Sequence, residues 1–335
     1  MKKQNVFVTT SHPGDAFAYL KEHANASGGT SNEPMDAASL RANLADKVAV
    51  VSVLEDRYDA AVFDAFPNLK IVANVAVGFD NIDVAAATKR GVLVLNTPGV
   101  LDAATADLAF ALLLAVTRRI VEADKFVRNG EWTHWTTDLL LGTGLENKTL
   151  GIVGLGRIGQ AVARRAAGFD MNVVYSQRNR AQANIEESTN AQYVPLDELL
   201  NQSDFITLHC PLNDQTRHLI GAEQFAQMKP NSFLINTARG AIVDERALVA
   251  ALQAGKIKGA GLDVFAHEPN VPAELLNMNN VVLAPHIGSA TTETRAAMAR
   301  LAAEGVVSAL AGKKPSNLVN PDCWQQFSKD LAATV

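Results

Sequence analysis

Three residues of this chain could do chemistry without any side chain. Gly154, Gly156 and Gly159 fit the spacing G-x-G-x-x-G. The apolar run Leu150, Ile152 and Val153 precedes them, and a helix-compatible stretch at 161–167 follows. A dinucleotide pyrophosphate needs this strand–turn–helix setting. Gly154 permits the tight turn, Gly156 lets the backbone approach the phosphates, and Gly159 allows the helix to pack closely on the strand. The helix N-terminus adds free N–H groups and the positive end of a dipole. Leu155, Arg157 and Ile158 share the turn and are candidate coenzyme contacts. A glycine-rich turn in an unrelated α/β protein is the bland alternative, and the flanking elements count against it.

A second set of residues follows the later strands. In open α/β sheets ligands bind at the carboxyl ends of strands. The run 232–235 is followed by Asn236, Thr237, Ala238, Arg239 and Gly240; Gly259–Leu262 by Asp263, with Glu268 a few residues on; Val281–Leu283 by Pro285, His286, Ile287 and Gly288. Arg239, Asp263 and His286 are therefore expected on one rim with the glycines. Such a set suits hydride transfer to a carbonyl beside a carboxylate. Arg grips carboxylates bidentately, and His can protonate a nascent alkoxide near neutral pH. A carboxylate on the far imidazole nitrogen would fix the tautomer and favour the protonated ring. Spacing leaves open whether Asp263 or Glu268 is that carboxylate. Taken singly, each is more often a solvated charge or a packing residue. Cys210 and Pro211, after Phe205–Leu208, are expected to line the coenzyme rim without chemistry; His209 reads as a packing residue and His267 as solvated.

The elements that must hold these residues alternate between strand-like and helical patterns, which predicts parallel sheets. Strands are expected at 6–9, 48–51, 71–73 and 92–95 before the fingerprint, with helices at 58–65 and 83–89 and a polar loop at 27–34. A long helix is expected over 102–128, ended by Gly130, and then a Trp-containing arm at 132–144. About six strands form the second sheet, as a full dinucleotide-binding sheet requires. A further helix is expected over 291–310. The fold class is α/β, with two Rossmann-like or flavodoxin-like domains. The expected division is a substrate domain of 1–99 plus 290–335 and a dinucleotide-binding domain of 100–289, with the active site in the cleft between them.

Composition fits this reading. The chain has 335 residues, of which 48% are hydrophobic and 19% charged, as in ordinary globular proteins. A net charge of −5 without a Lys/Arg cluster argues against nucleic acid. Two cysteines, Cys210 and Cys323, make neither a disulfide framework nor a metal site. The N-terminus shows no signal-peptide pattern, and the longest apolar run, 108–116, is too short for a bilayer. A cytoplasmic protein free of membranes is expected.

The stretches NVAVGFDNID (74–83), NTP (96–98), ATADLA (104–109), the fingerprint, NTARG (236–240), GLDVF (261–265), Glu268-Pro269 and PHIGS (285–289) resemble the D-isomer-specific 2-hydroxyacid dehydrogenases. The match runs in register over nearly the whole chain, and within the family it is greatest to the glyoxylate/hydroxypyruvate reductase group. The resemblance implies catalytic roles for Arg239, Glu268 and His286, with Glu268 rather than Asp263 as the partner of His286. It implies that Val75, Ala76, Val77 and Gly78 offer N–H groups to a substrate carboxylate that Arg239 and His286 also contact. It places Asp263, Thr105, Thr216, Thr237, Ala238 and Gly288 along the coenzyme. It further implies a homodimer built through the long helix and the arm, and leaves open whether Trp132 or Trp135 reaches the partner's pocket.

The coenzyme can be narrowed from residues. An NAD enzyme ends its second strand in Asp or Glu. Here the strand Asn172–Ser176 runs on into Gln177, Arg178, Asn179 and Arg180 without a carboxylate. Ser176, Arg178 and Arg180 offer hydroxyl and guanidinium donors to a 2′-phosphate. NADP(H) is therefore expected, with NAD(H) as the second choice. Rival readings are a dehydrogenase of 2-ketogluconate or of another D-2-hydroxy acid and, from another class, a dinucleotide-sensing corepressor.

Overall fold

The protein was analysed as a computed structural model, which describes residues 3–33 and 35–334, with 331–334 as backbone only. Met1, Lys2, Pro34 and Val335, which fall within the N-terminus, loop and tail discussed above, lie outside the described residues. The chain divides into two compact units, residues 1–101 with 289–335, and residues 102–288.

The first unit holds five strands: β1 (Asn5–Val8), β2 (Asn25–Gly28), β3 (Ala49–Ser52), β4 (Ile71–Asn74) and β5 (Leu93–Leu95). They pair in parallel in the order β2-β1-β3-β4-β5. This is the flavodoxin-like order. Parallel strands are buried on both faces and read as continuous apolar runs. Accordingly Val6, Val8, Val51, Ile71, Ala73 and Leu93 face the helix Thr292–Leu310, while Phe7, Val50, Val72 and Val94 face Tyr58, Phe63 and Leu69. The C-terminal segment returns to this unit, where Val319 N–H donates to Val94 O at 2.8 Å and Asn320 Oδ1 accepts from Val94 N–H at 2.9 Å.

The second unit holds seven parallel strands: β6 (Thr149–Val153), β7 (Asn172–Ser176), β8 (Ala191–Tyr193), β9 (Phe205–Leu208), β10 (Phe233–Asn236), β11 (Gly259–Leu262) and β12 (Val281–Leu283). Their order is β12-β11-β10-β9-β6-β7-β8. Counted within the unit this is the dinucleotide-binding order 3-2-1-4-5-6 with a seventh strand added at the far edge. The helix Asp102–Thr117 covers one face and is apolar nearly all round, so it is a buried helix. Gly261 lets it lie close, since a Cβ there would stand 2.9 Å from Leu112 Cβ.

Three expectations need correction. Part of the expected loop 27–34 is the end of β2, an edge strand whose residues Asn25–Gly28 carry no apolar run. The second sheet has seven strands, because the short edge strand β8 has no strong apolar signal either. The long helix breaks: Asp102–Thr117 ends, Arg119 takes a left-handed conformation at φ +56°, and a new helix runs Ile120–Arg128. Thr143 N–H bonds to the Thr117 carbonyl at 2.8 Å, and Arg119 holds Glu122 with two bonds at 2.7 Å. Among the described residues no helix is long and apolar enough to cross a membrane.

Candidate active site

Strand register sets the site in the second unit. One row crosses the sheet: Ser176 pairs with Val153, Val153 with Leu208, Leu208 with Asn236, Asn236 with Leu262, and Leu262 with Leu283. The residues just past this row are Gln177, Gly154, His209, Thr237, Asp263 and Ala284. The chemistry-bearing positions therefore share one carboxyl rim.

At its centre Gly154 adopts φ +97°, and a Cβ there would stand 2.8 Å from Cys210 N. A Cβ on Gly159 would meet Gly154 O at 2.2 Å. Gly156 differs, since nothing lies within 4 Å of its Cβ position. It caps the helix Arg157–Ala167 with no side-chain bond to the first turn. The N–H groups of Arg157 and Ile158 thus lie beside open space at the positive end of a helix. Leu155 is different again: its side chain is buried, and its N–H donates to Gln177 Oε1 at 2.8 Å.

Past β7, Ser176 is 8% exposed and Arg178 is exposed, its Nη1 3.4 Å from Gln215 Oε1. Arg180 was expected among the phosphate donors but is engaged elsewhere. It makes two 2.9 Å bonds to Glu186, whose carboxyl is held down to about 2 by Arg180 and by the Tyr175 hydroxyl. Past β9, burial pushes His209 down to about 3, so it is neutral at physiological pH, and its Nε2 lies 2.8 Å from Thr207 Oγ1. Burial pushes the Cys210 thiol up to about 11, so it stays protonated. The Pro211 carbonyl accepts from the Thr216 hydroxyl at 2.6 Å. Past β10, the Thr237 hydroxyl is buried with no hydrogen-bond partner among the described residues. Such a group calls for a ligand to complete it.

The titratable groups meet at the other end of the rim. His286 Nδ1 lies 2.7 Å from Glu268 Oε2. Burial alone would raise the Glu268 carboxyl. The hydrogen bond and charge of His286, the Phe265 N–H and the charge of Arg239 outweigh burial, and the net shift is downward. An ionised carboxylate only accepts, so Nδ1 carries a proton and Nε2 is the ring atom left for chemistry. Both side chains remain about one-third exposed, at 31% and 35%. Arg239 Nη1 donates to Ala238 O at 2.8 Å. Its main chain is fixed by Asn236, whose amide donates to Arg239 O at 2.9 Å and accepts from Ala238 N–H at 3.0 Å. Gly240 brings this turn against the Glu268 loop, since a Cβ there would stand 1.9 Å from Phe265 C.

Asp263 is fully buried. Its oxygens accept from Ile287 N–H at 2.7 Å and Gly288 N–H at 2.8 Å, and its carbonyl accepts from His286 N–H at 2.8 Å. Burial pushes the carboxyl above its ordinary value, opposed by those N–H groups and the His286 charge. Both carboxyl oxygens of Asp263 are thus met by backbone donors. His286 sits between them at φ +53°, a left-handed conformation that costs a non-glycine residue roughly 1–2 kcal/mol. Thr105, 5% exposed, is close to Gly288, whose Cβ would stand 3.5 Å from its methyl.

The first unit carries Val75, Ala76, Val77 and Gly78 at the carboxyl end of β4. Val75 N–H donates to Ser52 O at 2.7 Å, so it is not available to a ligand. The N–H groups of Ala76, Val77 and Gly78 have no partner among the described residues.

Residues 110–288 match the model of the D-isomer specific 2-hydroxyacid dehydrogenase, NAD binding domain. The chain is 56% identical over 278 residues to a glyoxylate reductase of Thermococcus litoralis, covering 82% of this chain and 84% of that one. It is 49% identical over 322 residues to a glyoxylate reductase of Korarchaeum cryptofilum, covering 96% and 97%. The chain belongs to the D-isomer-specific 2-hydroxyacid dehydrogenase family. This dehydrogenase is thus an oxidoreductase that uses a nicotinamide coenzyme. It is also similar to the structure of an NADPH-dependent glyoxylate/hydroxypyruvate reductase from Sinorhizobium meliloti in complex with NADP and malonate, with a TM-score of 0.85 at 35% identity, covering 95% of this chain and 97% of that one.

The open Gly156 corner, the first-turn N–H groups beside it and the Thr237 hydroxyl without a partner among the described residues fit such a coenzyme. Sequence reasoning missed two residues that hold the dehydrogenase's site: Asn236, and Glu245, whose Oε1 accepts from Ala266 N–H at 2.8 Å. Asn236 stood in the stretch that follows the strand, with no role assigned to it. Glu245 lies 21 positions from its partner, so no local pattern marks it.

The clamp on His286 can be tested at Asp263. Asp263→Asn turns one acceptor into an amide that faces an N–H donor. A buried donor left unmet costs about 1–3 kcal/mol. We expect a lower Tm together with a lower kcat/KM. Unchanged values of both would show that Asp263 does not hold the turn.

Proposed function

We propose that this dehydrogenase reduces small 2-keto acids, glyoxylate and hydroxypyruvate foremost, with NADPH as its preferred coenzyme and NADH as the second. The observation that carries the reading is the 2.7 Å His286–Glu268 pair with the charge of Arg239 felt at the same carboxylate. The names of the similar reductases support the choice of substrate.

When bound, the nicotinamide supplies a hydride to C2 of the keto acid. Arg239 grips the substrate carboxylate with its planar fork and polarises the carbonyl. His286 gives its Nε2 proton to the forming alkoxide. Glu268 accepts from Nδ1–H and fixes the ring. The N–H groups of Arg157 and Ile158 take the pyrophosphate, and Thr237 completes its hydroxyl on the coenzyme. The second unit is in this reading the coenzyme domain, and the first the substrate domain. Ser176 and Arg178 receive the 2′-phosphate; Arg180 does not, because Glu186 holds it. No carboxylate ends β7 to repel that phosphate.

Steady-state rates with glyoxylate and each coenzyme test the reading. kcat/KM should be higher with NADPH, and Ser176→Asp with Arg178→Ala should shift preference toward NADH. A wild-type enzyme that favours NADH defeats the coenzyme assignment, and one that reduces neither keto acid defeats the substrate assignment.

Reduction consumes the His286 proton, so kcat/KM for glyoxylate should fall as pH rises. Oxidation of the hydroxy acid needs the neutral ring and should show the opposite limb. Glu268→Gln removes the carboxylate that takes the Nδ1 proton, so kcat/KM for glyoxylate should fall while NADPH still binds. An unchanged kcat/KM would show that Glu268 does not orient His286.

We also propose a homodimer. Ile120, Val121 and Val127 on the helix Ile120–Arg128 are 55%, 40% and 55% exposed, and Trp132, Trp135 and Leu141 in the following arm are 55%, 72% and 64% exposed. So much apolar side chain in one stretch fits a covered surface. Light scattering should give the mass of two chains; the mass of one chain at micromolar concentration removes the proposal.

A further inference from the structure

The first unit shows how an anion cradle can be aimed from behind. A peptide unit is planar, so the carbonyl of one residue and the N–H of the next point in opposite directions. Holding one therefore orients the other. The Ala76 carbonyl accepts from Thr97 N–H at 2.9 Å, which fixes the N–H of Val77. The Val77 carbonyl accepts from Asn96 Nδ2 at 2.8 Å, which fixes the N–H of Gly78. The Gly78 carbonyl accepts from Asn74 Nδ2 at 2.8 Å, which fixes the N–H of Phe79. Three consecutive carbonyls are drawn inward, and the N–H groups of Val77 and Gly78 are turned the other way without a partner among the described residues. Successive N–H groups presented in this manner form an anion-binding concavity.

The tethers are themselves held. Asn74 is fully buried and exchanges bonds with Asn81, whose amide also donates to Asp56 O at 2.8 Å. The main chain of Asn96 is gripped on both sides by Asn317: Asn96 N–H donates to Asn317 O at 3.2 Å, and the Asn317 amide donates to Asn96 O at 2.8 Å. A change in the Asn96 side chain leaves that main-chain anchorage in place.

We propose that Asn96 is a positioning residue for substrate: by holding the Val77 carbonyl it aims the Gly78 N–H at the carboxylate of the keto acid. The inference rests on the reading of this protein as a 2-keto acid reductase. It assigns the role to a side chain that never touches the substrate.

The test compares two variants with different faults. Asn96→Ala removes the tether and lets the peptide relax. Asn96→Asp keeps the shape, but its ionised carboxylate cannot donate and repels the Val77 carbonyl, which turns the peptide away. The KM for glyoxylate and the inhibition constant of oxalate, a dicarboxylate that competes for an anion cradle, should rise about tenfold in Asn96→Asp, the scale of one lost charged or neutral hydrogen bond. The rise should be smaller in Asn96→Ala. NADPH affinity should stay within about twofold of wild type. A residue that only fills space would give the reverse order, with the isosteric Asp milder than Ala, and that order overturns the proposal. Arg239→Lys serves as the reference. If it weakens oxalate while both Asn96 variants bind oxalate normally, the positioning role falls and the reductase reading stands. If all three bind oxalate normally, the reading of the site falls with it.

Discussion

Two hydrogen bonds to one buried carboxylate fix the turn that carries His286. Asp263 takes the N–H groups of Ile287 and Gly288 in its two oxygens and the His286 N–H in its carbonyl. Those bonds hold a histidine in a left-handed conformation that its own backbone disfavours. In that posture His286 Nδ1 lies 2.7 Å from Glu268 Oε2. Glu268 in turn depends on Glu245 and Phe265, which shape its loop, and on Gly240, which lets the Arg239 turn press against that loop. Thus the His286–Glu268 pair, about one-third exposed, is the outermost layer of a polar scaffold whose deeper member Asp263 is fully buried.

Much of this was legible in sequence because parallel sheets advertise themselves. Val50 and Val51 are buried on opposite faces of the first sheet, and Phe205 and Ile206 on opposite faces of the second, and such strands read as short apolar runs between glycines and polar turns. The ends of those runs locate the rim, and the rim locates Arg239, Asp263, Glu268 and His286. What could not be read has physical reasons. The edge strands β2 and β8 bury one side only and so carry no apolar signature. The break at Arg119 arises because a tertiary contact, Thr143 on the Thr117 carbonyl, replaces the next helical bond.

Side-chain partners were the least legible part. Arg178 and Arg180 look equivalent in a linear string, yet Arg180 is bonded to Glu186, six residues away, and Arg178 is not. Asp263 and Glu268 were both plausible partners for His286. Family resemblance, not spacing, favoured Glu268, and the structure gives each carboxylate a different neighbour. Asn74, Asn96 and Asn236 entered only as letters of the family stretches, with no role attached, because an asparagine that holds a carbonyl is indistinguishable in sequence from one that faces water.

Gly240 carries a consequence of another kind. The atoms that crowd it are main-chain atoms of Phe265 and Ala266, at 1.9–2.3 Å from where a Cβ would be. Side chains can repack around an intruding methyl group; a backbone cannot. The position is therefore closed to sequence drift for a reason unrelated to catalysis. A descendant of this enzyme that abandoned its reaction could lose His286, Glu268 and Arg239 in turn, but as long as it kept the fold it would keep glycine at 240. The residue is a fossil marker of ancestry rather than of activity.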